Sequence, residues 1–134
     1  MIIPDSYTGI INGVTDADAL NVTVKNGGDL TIESDGTLTI VDYLDIQSTG
    51  VFDIESGGSL IQINNVANSG IGNVNRTSAN VRDTDYIYWS SPVSNQIVTN
   101  VSSSTPNNLT YQWVPTIGSN TNGYGDWIGA SGSM

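Results

Sequence analysis

The sequence predicts an all-β chain: a short β-solenoid of β-helix-like coils, followed by the start of a β-sandwich-like module. Three observations predict it. Leu30-Thr31-Ile32-Glu33-Ser34-Asp35-Gly36-Thr37, Leu44-Asp45-Ile46-Gln47-Ser48-Thr49-Gly50-Val51 and Phe52-Asp53-Ile54-Glu55-Ser56-Gly57-Gly58-Ser59 are copies of one pattern. In it, two apolar residues flank a polar one, and a Ser- and Gly-containing turn follows. Apolar starts at Leu30, Leu38, Leu44, Phe52 and Leu60 advance by roughly eight, six, eight and eight residues, so three steps make a coil of about 22. Beyond Val66 the character changes, and Trp89, Trp113 and Trp127 all fall in the second half. Large aromatics in separate short strands suit a sandwich core better than a narrow solenoid interior.

Taken in order, Ile2-Ile3 reads as a short strand turned by Pro4-Asp5-Ser6, Ile10-Ile11 as a second apolar pair, and Asn12-Gly13 through Asp16-Ala17-Asp18 as a loop. Leu20 to Val24 alternates cleanly and turns at Asn26-Gly27-Gly28. Leu30 to Ile32 turns at Asp35-Gly36, and Leu38 to Ile40 follows. After Tyr43 come Leu44 to Ile46, Phe52 to Ile54 and Leu60 to Ile63, again with glycine at the corners. In a 22-residue register Leu30 lies under Phe52 and Leu38 under Leu60. So few apolar residues between turns cannot build a thick core alone, and each coil must bury its Leu/Ile face against the next. Each inward side chain contributes about 1.5–3 kcal/mol when fully buried, enough to order a few coils, and the short stack needs caps at both ends. The segment from Asn68 to Asn73 is a turn-rich link, which places the boundary between residues 1–74 and 75–134. The closing run from Asn120 to Met134 has no final strand and reads as cut from something longer.

Composition excludes several function classes. Only 12% of residues are charged, the net charge is −10, and ten of the thirteen carboxylates lie before residue 56 against Lys25 alone. Nucleic acid and anionic membrane surfaces are poor partners for such a chain. With no His and no Cys there is neither a zinc site nor His- or Cys-based nucleophilic chemistry, and no disulfide. No signal peptide or membrane-inserting run is visible in the sequence.

Several segments resemble a known group of proteins. They are Leu30 to Ser34, Gly58 to Asn64, Asn75-Arg76-Thr77 and, above all, Asp85-Tyr86-Ile87-Tyr88-Trp89-Ser90-Ser91-Pro92-Val93-Ser94. From about Leu20 onward the chain resembles large secreted surface proteins of the Bacteroidota, adhesin-like and gliding-associated, commonly exported by the type IX secretion system. The resemblance implies an extracellular, cell-surface address. It also implies the rest of a parent polypeptide and the type IX secretion components as partners. It carries over no catalytic residues, and the sorting domain that marks export in that family has no counterpart here.

Candidate sites remain, each with a plainer alternative. Asp16-x-Asp18 and Asp83-x-Asp85 offer oxygen ligands to Ca²⁺, but neither pair sits in an EF-hand loop or a nonapeptide repeat, and solvated loop acids are the plainer reading. For Asp83 and Asp85, Arg76 and Arg82 are nearby ion-pair partners. Glu33, Asp45, Asp53 and Glu55 occupy polar positions between inward residues and so point outward, as surface decoration rather than the facing pair a glycosidase needs. If Glu33 and Glu55 stack, they repel and weakly attract cations. Trp89, Trp113, Trp127, Tyr111 and Tyr124 suggest a flat platform for sugar rings, with Trp127, Trp89 and Tyr124 as ligand-binding candidates, against the alternative that they form core. The Asn-x-Ser/Thr triplets at Asn21, Asn75, Asn100 and Asn108 carry no meaning in an Asn- and Thr-rich chain.

The expectation is a non-enzymatic stalk or adhesive segment of a secreted bacterial protein that meets surface glycans or copies of itself. The competing expectation is an accessory carbohydrate-binding or catalytic module of a secreted polysaccharide-degrading enzyme.

Overall fold

A computed structural model describes residues 1–82, 84–90, 96–117 and 125–130. The chain forms two compact units, Met1–Asp83 and Thr84–Met134.

The first unit is a parallel β-solenoid with three faces. β1 (Ile2–Ile3), β4 (Val22–Val24) and β7 (Leu44–Ile46) stack on one face. β2 (Thr8–Ile11), β5 (Asp29–Ile32), β8 (Val51–Ile54) and β10 (Asn73–Val74) stack on the second, and β3 (Ala17–Ala19), β6 (Thr37–Ile40) and β9 (Ser59–Gln62) on the third. Every one of these pairings is parallel. Leu30 pairs with Phe52 and Leu38 with Leu60, the 22-residue register read from the sequence. The step below is one residue shorter, because Thr8 pairs with Asp29 and Ala17 with Leu38.

Alternation within each strand aims every second side chain inward. The innermost set is Val22, Val24, Leu30, Ile32, Leu38 and Ile40, each below 2% exposed. All six belong to the middle coil, which alone has a full coil on both sides. The coil below tapers. Gly9 pairs with Leu30, and a Cβ on Gly9 would lie 3.1 Å from Leu30 Cδ1, so the larger leucine fills the space beneath its own coil.

β-turns make the corners, with Gly28, Gly36, Gly50 and Gly58 N–H groups donating to Lys25, Glu33, Gln47 and Glu55 carbonyls at 2.8–3.1 Å. Glycine is required where the coil beneath passes close: a Cβ on Gly58 would sit 2.8 Å from the carbonyl oxygens of both Ile32 and Glu33.

The upper end is closed by polar side chains. Gln62 takes the inward position held one coil down by Ile40, and its Nε2 donates to the carbonyls of Asp42 and Val66 while its Oε1 accepts from Asn68 Nδ2. Arg76 donates to the carbonyl oxygens of Glu55 at 3.2 Å and Gly58 at 3.3 Å; the Glu55 oxygen also accepts from the Gly58 N–H, whereas the Gly58 oxygen corresponds to that of Gly36, which the next coil engages through the Ser59 N–H.

Two local readings are corrected. Asp16 to Asp18 is not a loop throughout, since Ala17–Ala19 is strand β3, imposed by pairing with β6 rather than by its own weak propensity. Leu20 to Val24 is not one strand either. The chain turns a corner at Leu20 and Asn21, which leaves Leu20 outside and 62% exposed.

In the second unit, β11 (Tyr111–Val114) and β12 (Asp126–Gly129) form an antiparallel pair. The four-residue helix α1 (Val98–Val101) and a 3-10 turn at Asn107–Leu109 precede it, and Tyr86 to Trp89 lies outside any strand. No helix among the described residues is long and apolar enough to cross a membrane.

Candidate functional site

The outward positions of the coils carry most of the acid, and the parallel register decides what each carboxylate meets. In-register stacking puts equivalent outward residues of successive coils side by side. Asp53 is flanked by Thr31 and Asn73, and its Oδ1 accepts from Asn73 Nδ2 at 2.7 Å. Glu55 Oε1 accepts from Asn75 Nδ2 at 3.3 Å, Asp42 Oδ1 from Asn64 Nδ2 at 2.8 Å, and Asp45 Oδ1 from Ser69 Oγ. Each donor lies 20 to 24 residues further on, one coil up. A carboxylate facing a neutral amide or hydroxyl avoids the repulsion that a stack of like charges creates. Glu33 and Glu55 do lie in equivalent rows, as the backbone bonds from Glu33 to Ile11 and from Glu55 to Ile32 require, but Glu55 also has its amide partner above.

Of the candidate cation ligands, Asp16 and Asp18 are placed on the first coil. Asp16 Oδ1 accepts from the Thr37 N–H at 2.7 Å and so fastens the first coil to the second. Asp18 faces outward on β3, opposite Thr39. Asp83 lies outside the described residues, so the Asp83-x-Asp85 pair is not placed. Arg76, named as a partner for that pair, sits on the carbonyls of the third coil. Among the described residues no three His, Cys, Asp or Glu side chains form a group that would hold a metal ion.

The aromatic residues of the second unit do converge. Trp113 and Trp127 are directly opposite in the β11–β12 ladder, so period-two alternation puts Tyr111, Trp113 and Trp127 on one face. The Trp113 and Trp127 ring centroids are 5.4 Å apart with planes inclined at 59°, and Tyr88 packs on Trp127 at 5.7 Å and 50°. Tyr86 meets Tyr111 edge-on at 6.3 Å and 70°. These are the tilted and edge-to-face geometries that aromatic quadrupoles favour. None of these three pairs is coplanar, and Tyr124, a member of the flat platform expected from the sequence, lies outside the described residues.

The cluster is a surface as much as a core. Trp113 and Trp127 remain 45% and 46% exposed, and Tyr88 76%. Trp89 is 38% exposed but makes none of these ring contacts, and Tyr124 lies outside the described residues. Tyr86 and Tyr88 are not among the five aromatics assigned to the platform, although they belong to the segment around Tyr86 to Val93 where the sequence places any specificity; their alternation on either side of Ile87 was the available signal. A half-wet aromatic face presents the apolar C–H faces of sugars with a stacking partner and keeps enough ring edge free for ordered water.

A family model matches the chain over residues 1–134, and its description is Domain of unknown function (DUF8693). No curated protein and no solved structure matches.

Proposed function

The chain belongs to that family, and from this premise we propose that it is a non-enzymatic structural and adhesive segment of a secreted bacterial cell-surface protein. The coils serve as a rigid stalk, and the aromatic face of the second unit is its contact surface for glycans. One observation carries the adhesive part: Tyr88 and Trp113 each pack on Trp127, yet all three stay nearly half exposed or more. Stacking of a sugar ring on tryptophan needs that combination of ordered ring and open face.

The stalk reading rests on the acids. Asp42, Asp45, Asp53 and Glu55 hold the coils together through bonds to the coil above, which suits a scaffold better than a hydrolytic pair poised across a cleft. The surface address rests on the resemblance carried by Tyr86 to Trp89 and its neighbours.

The test is a glycan array probed with the whole chain and with Trp127→Ala. Loss of signal in the variant, with the far-UV circular dichroism spectrum and melting temperature of the coils retained, is the expected result. Binding unchanged by Trp127→Ala and Trp113→Ala would remove the aromatic face from the proposal. Hydrolysis of a polysaccharide by the parent protein, abolished by a substitution within residues 1–134, would replace it with the enzymatic reading.

A further inference from the structure

Asn-Gly pairs stand at two corners of the solenoid, Asn12-Gly13 and Asn26-Gly27, and the fold holds them differently. Another, Asn122-Gly123, lies outside the described residues. At Asn26 both atoms that could react with each other are tied to the coil above. Its Oδ1 accepts from Ser48 Oγ at 3.2 Å and from the Thr49 N–H at 3.1 Å, while the Gly27 N–H donates to the Thr49 carbonyl at 3.2 Å.

At Asn12 the bonds are all local. The Thr15 N–H donates to the Asn12 carbonyl at 2.8 Å and closes a β-turn. Inside that turn, Asn12 Oδ1 accepts from the Val14 N–H at 3.1 Å and from Thr15 Oγ1 at 3.0 Å, and the Asn12 N–H donates to Thr15 Oγ1 at 3.0 Å. The Gly13 N–H has no hydrogen-bond partner among the described residues. Val14 is 93% exposed, so the tip of the turn stands in solvent. Two requirements for an intramolecular reaction therefore meet here. The Gly13 nitrogen is open to lose its proton and, with no Cβ beside it, to close a five-membered ring on Asn12 Cγ. The Val14 N–H and the Thr15 hydroxyl polarise the Asn12 amide and stay on its oxygen as negative charge builds there, as the donors of an oxyanion hole do.

We propose that Asn12-Gly13 is a self-modification site, at which the chain deamidates through a succinimide while Asn26-Gly27 is spared. Hydroxide takes the Gly13 amide proton and becomes water. The nitrogen bonds Asn12 Cγ, the tetrahedral oxyanion collapses, and the Cγ–Nδ2 bond breaks. The leaving nitrogen takes a proton from water and departs as ammonia, which restores the hydroxide. Water then opens the imide: its hydroxyl joins one of the two carbonyl carbons, its proton goes to the ring nitrogen, and the C–N bond between them breaks. The product is aspartate or isoaspartate at position 12, which adds one negative charge to the −10 the chain already carries.

That charge arrives in a crowded place. A Cβ on Gly36 would lie 2.9 Å from Asn12 Cα, and one on Gly13 would lie 3.3 Å from Asp35 Cβ, so the corner directly above carries an acid of its own. Isoaspartate also lengthens the main chain by a methylene where the corners of two coils are in backbone contact. Modification therefore loosens the first coil at this corner.

The experiment is prolonged incubation of the folded full chain in neutral buffer, followed by trypsin digestion and mass spectrometry. Cleavage after Lys25 puts Asn12 and Asn26 on different peptides, so a gain of about one dalton is read for each separately. Asn12 should deamidate about tenfold faster than Asn26 or more, with isoaspartate at position 12 detected by methyltransferase labelling. In urea, where the coil-to-coil bonds are gone, the two rates should converge, and Asn12 should react no faster than in the folded chain. Thr15→Val takes the hydroxyl from Asn12 Oδ1 and should slow that site several-fold, whereas Thr15→Ser should keep its rate; neither should alter Asn26. The comparison of the two asparagines needs no variant, so it stands even if Thr15→Val fails to fold. Equal rates in the folded chain, an Asn12 that reacts far faster in urea, or a folded Thr15→Val chain that deamidates like the parent would each overturn the proposal.

Discussion

Asn73 shows how one side chain can decide whether an acidic surface holds together. Its amide stands directly above Asp53 at 2.7 Å, in a parallel ladder where side chains of neighbouring coils cannot avoid each other. Asn73→Asp replaces that bond with two carboxylates in register. Opposed like charges on adjacent strands cost about 0.2–1 kcal/mol, so a urea titration should show the variant less stable by that order. The deficit should shrink at high salt, and one that persists in 0.5 M NaCl would assign the loss to something other than repulsion. Gly58 acts by contact rather than charge. A methyl group there would press on the backbone carbonyls of Ile32 and Glu33 at 2.8 Å, with no flexible side chain available to yield. Gly58→Ala should therefore destabilise the coils by about 1–3 kcal/mol, the usual range for forced overpacking. A melting temperature equal to that of the parent chain would refute it.

At the scale of the element, what the sequence could reveal depended on whether the signal was local. Leu30 over Phe52 and Leu38 over Leu60 were legible because apolar pairs and glycine corners recur at one spacing. β3 was not legible, because Ala17 and Ala19 flank an aspartate and carry little strand preference; the strand exists because β6 lies above it. The corner at Leu20 was hidden for the opposite reason. Apolar alternation runs unbroken through Leu20, Val22 and Val24, so no pattern marks where the chain bends. In the second unit, Trp113 opposite Trp127 joins strands separated by residues 115–125, with no short turn to announce the pairing. The end of the stack makes a further prediction. Arg76 donates to the Gly58 carbonyl, whose equivalent one coil down, that of Gly36, accepts from the Ser59 N–H. Arg76→Ala frees part of an edge, at a cost of about 1–2 kcal/mol for hydrogen bonds from a charged donor. Light scattering on heating should then rise earlier for the variant than for the parent chain.

For the whole molecule, stability is concentrated in one coil while charge is spread over the rest. Leu38 is fully buried, packed in a coil that has neighbours above and below. Truncating such a side chain costs about 2–5 kcal/mol, because the transfer loss and the cavity add, so Leu38→Ala should bring the chain close to its unfolding threshold. Trp127→Ala, on a half-exposed surface, should cost the coils nothing measurable. The charge argues differently. A chain at −10 with three basic side chains opposes its own compaction, and this repulsion is not confined to any one contact. Screening should therefore raise the melting temperature steadily as NaCl goes from about 20 mM to 0.5 M, with the Debye length shortening from roughly 20 Å to about 4 Å. The same physics fixes the response to divalent cations. If the acids act only as diffuse charge, Mg²⁺ and Ca²⁺ at equal concentration shift the melting temperature equally, because ions of one valence screen alike. A coordinated site would separate them, since Ca²⁺ accepts six to eight oxygens in flexible geometry while Mg²⁺ demands a tight octahedron. With Asp16 bonded to the Thr37 N–H, and Asp42, Asp45, Asp53 and Glu55 each bonded to a donor one coil up, the expected result is equality. A Ca²⁺ shift several degrees larger than the Mg²⁺ shift would show instead that some of these carboxylates exchange their coil-to-coil bonds for an ion.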